Sequence, residues 1–319
     1  MTVCSVYLHF SFGTPFSSED SIAFWEKRIA QVGPAQAYNE IDTYMQDADA
    51  SATHAAAHTF GGALFLYMGL PGISICDDRF IYGCYHQLTA EAIVQGGLES
   101  VALLGSLCEN NIQCLHGIGH GILVYVGNST STLPDAITQC SQVPTHDQFS
   151  GCLGGVFMEF FLRTMSGEEH GVPRPVALNP FTPCDTLSRE ASLTCYYWQA
   201  QSWKSGRQHM ESPEGLFRRM GSLCKTLGEA ESLYCFAGIG AATISFSEYS
   251  PATIRTLCDE SSAVLQERAM CRSSAGKALS GSLTLEESVR VCTGLAPAAH
   301  TACAAYMVEP LSPGAFSVH

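Results

Sequence analysis

The sequence is poor in charge, and poorest in positive charge. Asp, Glu, Lys and Arg make up only 14% of it, where ordinary soluble domains carry about a quarter. With 16 basic against 30 acidic side chains, the formal net charge is −14. So acidic a chain repels phosphate backbones, which argues against nucleic acid as a partner. Long unbroken hydrophobic runs are also missing. The uncharged stretch Ala52–Ile75 is interrupted by His54, His58, its glycines and Pro71, so it reads as a buried helix and a turn, not as a membrane span. Met1–Phe16 is mildly apolar but has no basic n-region and no clear cleavage site, a weak match to a secretory signal.

Familiar chemical signatures are absent too. No C-x-x-C or C-x-x-C-H occurs, which removes zinc ribbons, common iron–sulfur runs and covalent haem. H-E-x-x-H, G-x-x-x-x-G-K-[ST] and G-x-S-x-G are missing, and no G-x-G-x-x-G follows a strand pattern. Zincin proteolysis, nucleotide cofactors and serine-hydrolase chemistry are therefore unsupported.

What the sequence does have is 46% hydrophobic residues and 15 cysteines in 319 positions. The first excludes disorder as the main state. The length accommodates two average domains or one long repeat array. So many thiols without metal-ligand spacing point to disulfides formed in an oxidising compartment, secreted or otherwise extracytoplasmic. Asn128-Ser129-Thr130 is a sequon; it suits a secreted protein and also arises by chance.

Cys4 aside, the cysteines form seven successive couples: Cys76/Cys84, Cys108/Cys114, Cys140/Cys152, Cys184/Cys195, Cys224/Cys235, Cys258/Cys271 and Cys292/Cys303. Their first members recur every 32, 32, 44, 40, 34 and 34 residues, unit lengths typical of stacked helix pairs. Flanking residues repeat as well. Gly105-Ser106-Leu107-Cys108 parallels Gly221-Ser222-Leu223-Cys224, and small residues follow the second cysteine, as in Cys235-Phe236-Ala237-Gly238-Ile239-Gly240. Glycine within a helix weakens it but lets two helices approach closely. Each unit thus reads as helix A ending near the first cysteine, a short loop, and helix B carrying the second. An in-unit disulfide would close each loop. Polar, proline-containing joints separate the units, among them Gly127–Pro134 and Ser247–Pro251.

Histidines concentrate in the early B helices. His86 and His116 both lie two residues after the second cysteine of their units, and His120 lies six after. Ala52–Phe60 reads as a B helix without its cysteine, in which His54-Ala55-Ala56-Ala57-His58 aligns with His116-Gly117-Ile118-Gly119-His120. H-x-x-x-H puts two imidazoles on one helix face a turn apart, the spacing with which helical metal sites supply ligands. Glu91 and Glu159 each fall seven residues after a second cysteine. His54, His58, His86, His116 and His120 are therefore candidate metal ligands, in one or two sites. Glu91 and Glu159 are candidate catalytic groups, as ligand or general base. Imidazole donors suit copper, iron or zinc and not calcium or magnesium. Tyr196-Tyr197-Trp198 and Trp203 form an aromatic patch best explained as core.

Two likenesses stop short. Gly117-Ile118-Gly119-His120-Gly121 resembles the His-Gly turns of α/α-toroid enzymes such as lanthionine cyclases over those residues alone, without that family's zinc-binding Cys and Cys-His pattern. The unit length is similar to tetratricopeptide repeats, whose Trp/Leu/Gly/Tyr consensus is missing.

The sequence therefore predicts an all-α protein: disulfide-stapled helix pairs stacked as a right-handed α-solenoid, or closed into an α/α toroid. Residues 1–50 form an N-terminal helical cap, with helices over Ile22–Ile29 and Ala35–Met45. Residues 51–309 form the array of seven Cys-paired units, and 310–319 a tail. The expected function is transition-metal binding outside the cytoplasm, with an oxidase or oxygenase as the enzymatic form and hydrolysis as its rival. The alternative is a peptide- or protein-binding scaffold with structural histidines. A small molecule or peptide is the expected substrate.

Overall fold

The computed structural model describes residues 18–46, 48, 50–143, 151–165, 178–204, 211–280 and 283–308. Among these residues every regular element is a helix and there is no strand. Cys4 and the 310–319 tail lie outside the described residues, as do parts of three inter-unit segments and of the loop between Cys140 and Cys152. The chain forms two compact units, divided between Glu91 and Ala92.

In the first unit, α1 (Ser18–Val32) and α2 (Pro34–Tyr44) cover both helices expected of the cap. Gly33 separates them at φ 85°, a left-handed turn that suits glycine, and Pro34 starts α2 where no amide donor is needed. The two helices bury Trp25, Ile29, Tyr38 and Ile41 against Phe60 and Leu64 of α3 (Ala50–Met68). α3 ends at Gly69, and Pro71 sits in the 3-10 turn Leu70–Ser74 that follows. The uncharged stretch is thus a helix and a turn. α4 (Gly83–Gly96) then carries the chain across the division between the units.

The second unit alternates short and long helices. α5 (Ser100–Cys108), α7 (Leu133–Cys140), α10 (Pro213–Cys224) and α13 (Pro251–Ser261) each hold the first cysteine of a couple in their last turn. α6 (Ile112–Val126), α8 (Cys152–Leu162), α9 (Arg189–Ser202), α11 (Glu229–Ala242), α14 (Leu265–Leu279) and α16 (Pro297–Val308) hold the second. α12 (Ile244–Ser247) and α15 (Leu285–Val289) are single turns. Loops and joints supply the caps. Asn111, Ser212, Ser250 and Thr284 accept backbone amides at helix starts, and prolines follow Ser212 and Ser250 directly.

All seven cysteine couples are disulfides, with Cα separations of 5.4 to 5.9 Å. Loops this short give about 2–3 kcal/mol each by the chain-entropy model. Together they suggest an oxidising, extracytoplasmic environment. No described helix is long and apolar enough to cross a membrane. Three first cysteines depart from the expected helix end. Cys184 and Cys292 lie in 3-10 turns, and Cys76 lies just beyond one. Pro71, Pro180 and Pro183 explain two of these, because proline removes amide donors that an α-helix needs.

The B helices pack one on the next: α6 on α8, α8 on α9, α9 on α11, α11 on α14 and α14 on α16. Glycines set the contacts in a repeating register. Gly119 and Gly240, each five residues after a second cysteine, face the carbonyls of Cys152 and Cys271 on the next helix. Gly155 and Gly238, each three residues after, face the carbonyls of His116 and Tyr197 on the helix before. A Cβ at any of these four positions would overlap the opposing backbone. At the α8–α9 contact, Phe157 and Trp198 occupy the corresponding places.

Substituting alanine for Gly240 should therefore destabilise the fold by about 1–3 kcal/mol. Gly215, on α10, meets nothing closer than 3.5 Å at its Cβ position, so Gly215→Ala should be neutral or stabilising by up to about 1 kcal/mol. Denaturant unfolding of both variants checks the contrast; equal effects would contradict the backbone contact.

Candidate metal centre

Three imidazoles meet in the first unit. His54 and His58, one turn apart on α3, share a face, and His86 comes from the start of α4. Ring centroids are 4.5 Å apart for His54–His58, 5.6 Å for His54–His86 and 5.4 Å for His58–His86. One ligand nitrogen from each lies within 4.8 Å of the others. His86 is buried, while His54 and His58 are half-buried.

Backbone proximity makes this possible. A Cβ at Gly61 would overlap the Cys84 carbonyl, and one at Gly83 would overlap that of His54. α3 and α4 therefore touch main chain to main chain beside the histidines. The disulfide Cys76–Cys84 closes the loop between them. Asp77 ties that loop down: its carboxylate accepts the Tyr38 hydroxyl at 2.9 Å and the Arg79 amide at 3.0 Å. Three consecutive residues of the loop, Phe80, Ile81 and Tyr82, have φ values of 55°, 51° and 64°. Left-handed backbone costs about 1–3 kcal/mol per non-glycine residue, most for a β-branched one such as Ile81, and persists where the surroundings enforce it. Here it accompanies a Phe80 carbonyl that accepts from His54 Nδ1 at 2.9 Å.

That bond fixes a tautomer, because a carbonyl only accepts: His54 carries its proton on Nδ1. His58 follows the same pattern. Gln87 Nε2 donates to Glu91 at 2.9 Å, so the amide oxygen of Gln87 faces His58 Nδ1, at 3.4 Å. When neutral, both rings then present Nε2 as a lone-pair atom, and these two atoms are 3.0 Å apart. Two lone pairs at that distance repel unless a proton or a cation lies between them. Zn–N bonds of about 2.0–2.1 Å at the tetrahedral angle place two nitrogens about 3.3 Å apart. Outer acceptors that orient each ring are the usual companions of ligating histidines. Glu91 enters as the far end of a His58–Gln87–Glu91 chain.

The other two candidate ligands lie in the second unit, described separately. On α6, His116 and His120 have ring centroids 4.9 Å apart. His120 Nδ1 is 3.1 Å from Glu159 Oε2 of α8, and both side chains are fully buried. Glu159 also accepts the Thr164 hydroxyl at 2.7 Å and the Met165 amide at 3.0 Å. Its carboxylate thus addresses the outer nitrogen of His120 and holds that ring in place. His116 Nε2 is 3.4 Å from Met158 Sδ, and its ring centroid is 6.0 Å from that of Trp198. Of the aromatic patch, Tyr196 and Trp203 are buried in the core, while Tyr197 and Trp198 are half-buried. The sequon asparagine is occupied: Asn128 Nδ2 donates to the Glu159 carbonyl at 2.9 Å.

Sequence reasoning missed Gln87, the Phe80 carbonyl and Met158. Two of these had a signal. Gln87 and Glu91 are four apart on a helix and hence neighbours. Met158 lies six residues after Cys152, the register His120 occupies after Cys114. The left-handed turn at Phe80 has no sequence mark. No protein-family model, no curated protein and no solved structure matches the chain.

Replacing Glu159 by leucine would strip a buried imidazole N–H, a hydroxyl and a main-chain amide of their acceptor. Each such loss costs about 1–3 kcal/mol, so Glu159→Leu should destabilise by about 3 kcal/mol or more and Glu159→Gln by less. Denaturant unfolding tests this, and a leucine variant of unchanged stability would contradict it.

Proposed function

We propose that the chain binds one transition-metal ion through His54, His58 and His86, in an oxidising extracytoplasmic compartment. The observation that carries this reading is the pair of Nε2 atoms 3.0 Å apart, each on a ring whose Nδ1 is engaged with an outer oxygen. A cation between them turns a repulsion into two bonds, with His86 as the third donor. The proposal includes the architecture that supports the site: the second unit as an α-solenoid, its B helices stacked through the glycine contacts and its turns closed by disulfides.

Three protein ligands leave a coordination position open. Structural zinc sites are closed by four protein ligands, whereas catalytic sites keep one position for water or substrate. The reading is therefore an enzyme. With copper or iron, the open position would take dioxygen, which makes the protein an oxidase or oxygenase acting on a small molecule or peptide; with zinc it would activate water for hydrolysis. His54 and His58 hold the ion with rings oriented by Phe80 and Gln87. Glu91 acts through Gln87, strengthening the His58 donor.

Elemental analysis of protein purified without a histidine tag should find about one transition-metal ion per chain at this site, lost in His54→Ala/His58→Ala. Adding zinc at about a hundred times its Kd should raise wild-type stability by about 2.7 kcal/mol and leave the double variant unmoved. Acid should weaken binding, because protons compete for the same imidazole nitrogens. Metal-free protein whose melting temperature ignores zinc, copper and iron would overturn the proposal and leave the histidines as structural residues of a binding scaffold.

A further inference from the structure

We infer a second metal site, in the second unit, formed by His116, Met158 and His120 and selective for monovalent copper. It uses none of the ligands of the His54/His58/His86 site and stands or falls independently. His116 Nε2 and Met158 Sδ reach across from adjacent helices to within 3.4 Å. Bonds of about 2.0 Å to nitrogen and about 2.3 Å to sulfur, opened to a near-tetrahedral angle, span about that distance. His120 supplies the third donor. Its Nδ1–H is directed to Glu159, so the neutral ring carries its lone pair on Nε2, on the same helix face as His116. Thr164 and Met165 hold the carboxylate in turn, and this outer arrangement is how ligating histidines are fixed.

Two features select the ion. A thioether is a soft donor, with little affinity for zinc and a strong preference for copper(I). The histidine side of the site is also buried: His120 and Glu159 are 1% and 0% exposed, and the half-buried Trp198 ring flanks His116 beside the half-buried Met158. Such a pocket favours the ion of lower charge and holds a single buried carboxylate charge against it. Met158 and His120 occupy the same register in consecutive B helices, each six residues after its cysteine, so the ligand set is a product of the repeat. In the plain alternative, His116 merely donates a hydrogen bond to the sulfur.

The full chain should be titrated anaerobically with copper(I), kept reduced by ascorbate, against a coloured copper(I) chelator. X-ray absorption at the copper edge should show a sulfur neighbour at about 2.3 Å. Met158→Leu, close in volume, should keep the fold, lose the sulfur signal and bind copper(I) at least about tenfold more weakly. Its zinc binding through His54, His58 and His86 should not change. With His54→Ala/His58→Ala removing the first site from both proteins, a spectrum with no sulfur neighbour, failure to compete with the chelator, or equal copper(I) affinity with and without Met158→Leu would overturn the inference.

Discussion

The closure of each short loop by a disulfide is the constraint on which the rest of the structure depends. A bridge of 6 to 13 residues' separation fixes where each B helix begins relative to the helix or turn before it. Once the start is fixed, residues at the same offset from the cysteine fall at the same place on every B helix. Gly119, Gly155, Gly238 and Gly240, at offsets three and five, then meet the carbonyls of the neighbouring helix, and main chain packs on main chain there. Few charged groups are needed in such an interior. The low charge content of the chain follows from an architecture that buries helices against one another on glycine and alanine.

The same register positions the chemistry. Histidines at offsets two and six, glutamates at offset seven and Met158 at offset six all project from B helices held by their staples. In the first unit the register is supplemented by a strained turn. The Cys76–Cys84 loop is anchored by Asp77, passes through three left-handed residues, and ends with the Phe80 carbonyl on His54. The strain and the oriented imidazole occur at one place, which is the association expected of a functional site.

Much of this was legible in the sequence because it is repetitive. The couples, their partners and the A–loop–B order follow from recurrence at fixed spacing. His54 and His58 are visible as an H-x-x-x-H pair, and His86 as the offset-two residue beside them. The legible part ends where an interaction depends on backbone conformation or on a neighbouring helix. The Phe80 turn is encoded by loop closure and not by a glycine, so no residue type announces it. Glu91 and Glu159 were readable as carboxylates close to the histidines, but their hydrogen-bond partners were not. Glu91 works through Gln87, and Glu159 grips the outer edge of His120, which only the packing of α6 on α8 reveals. Proline explains why Cys76 and Cys184 lie beside or in 3-10 turns, although the repeat pattern implies an α-helix end.

The central claim is that His54, His58 and His86 are a preformed three-nitrogen site. Anomalous diffraction above the zinc edge, from crystals grown with zinc, tests it most directly. The account requires a peak bonded to all three imidazoles at about 2.0–2.1 Å, with His54 Nδ1 still donating to the Phe80 carbonyl. Ordered rings that turn away from one another, with no metal peak among them, would contradict it.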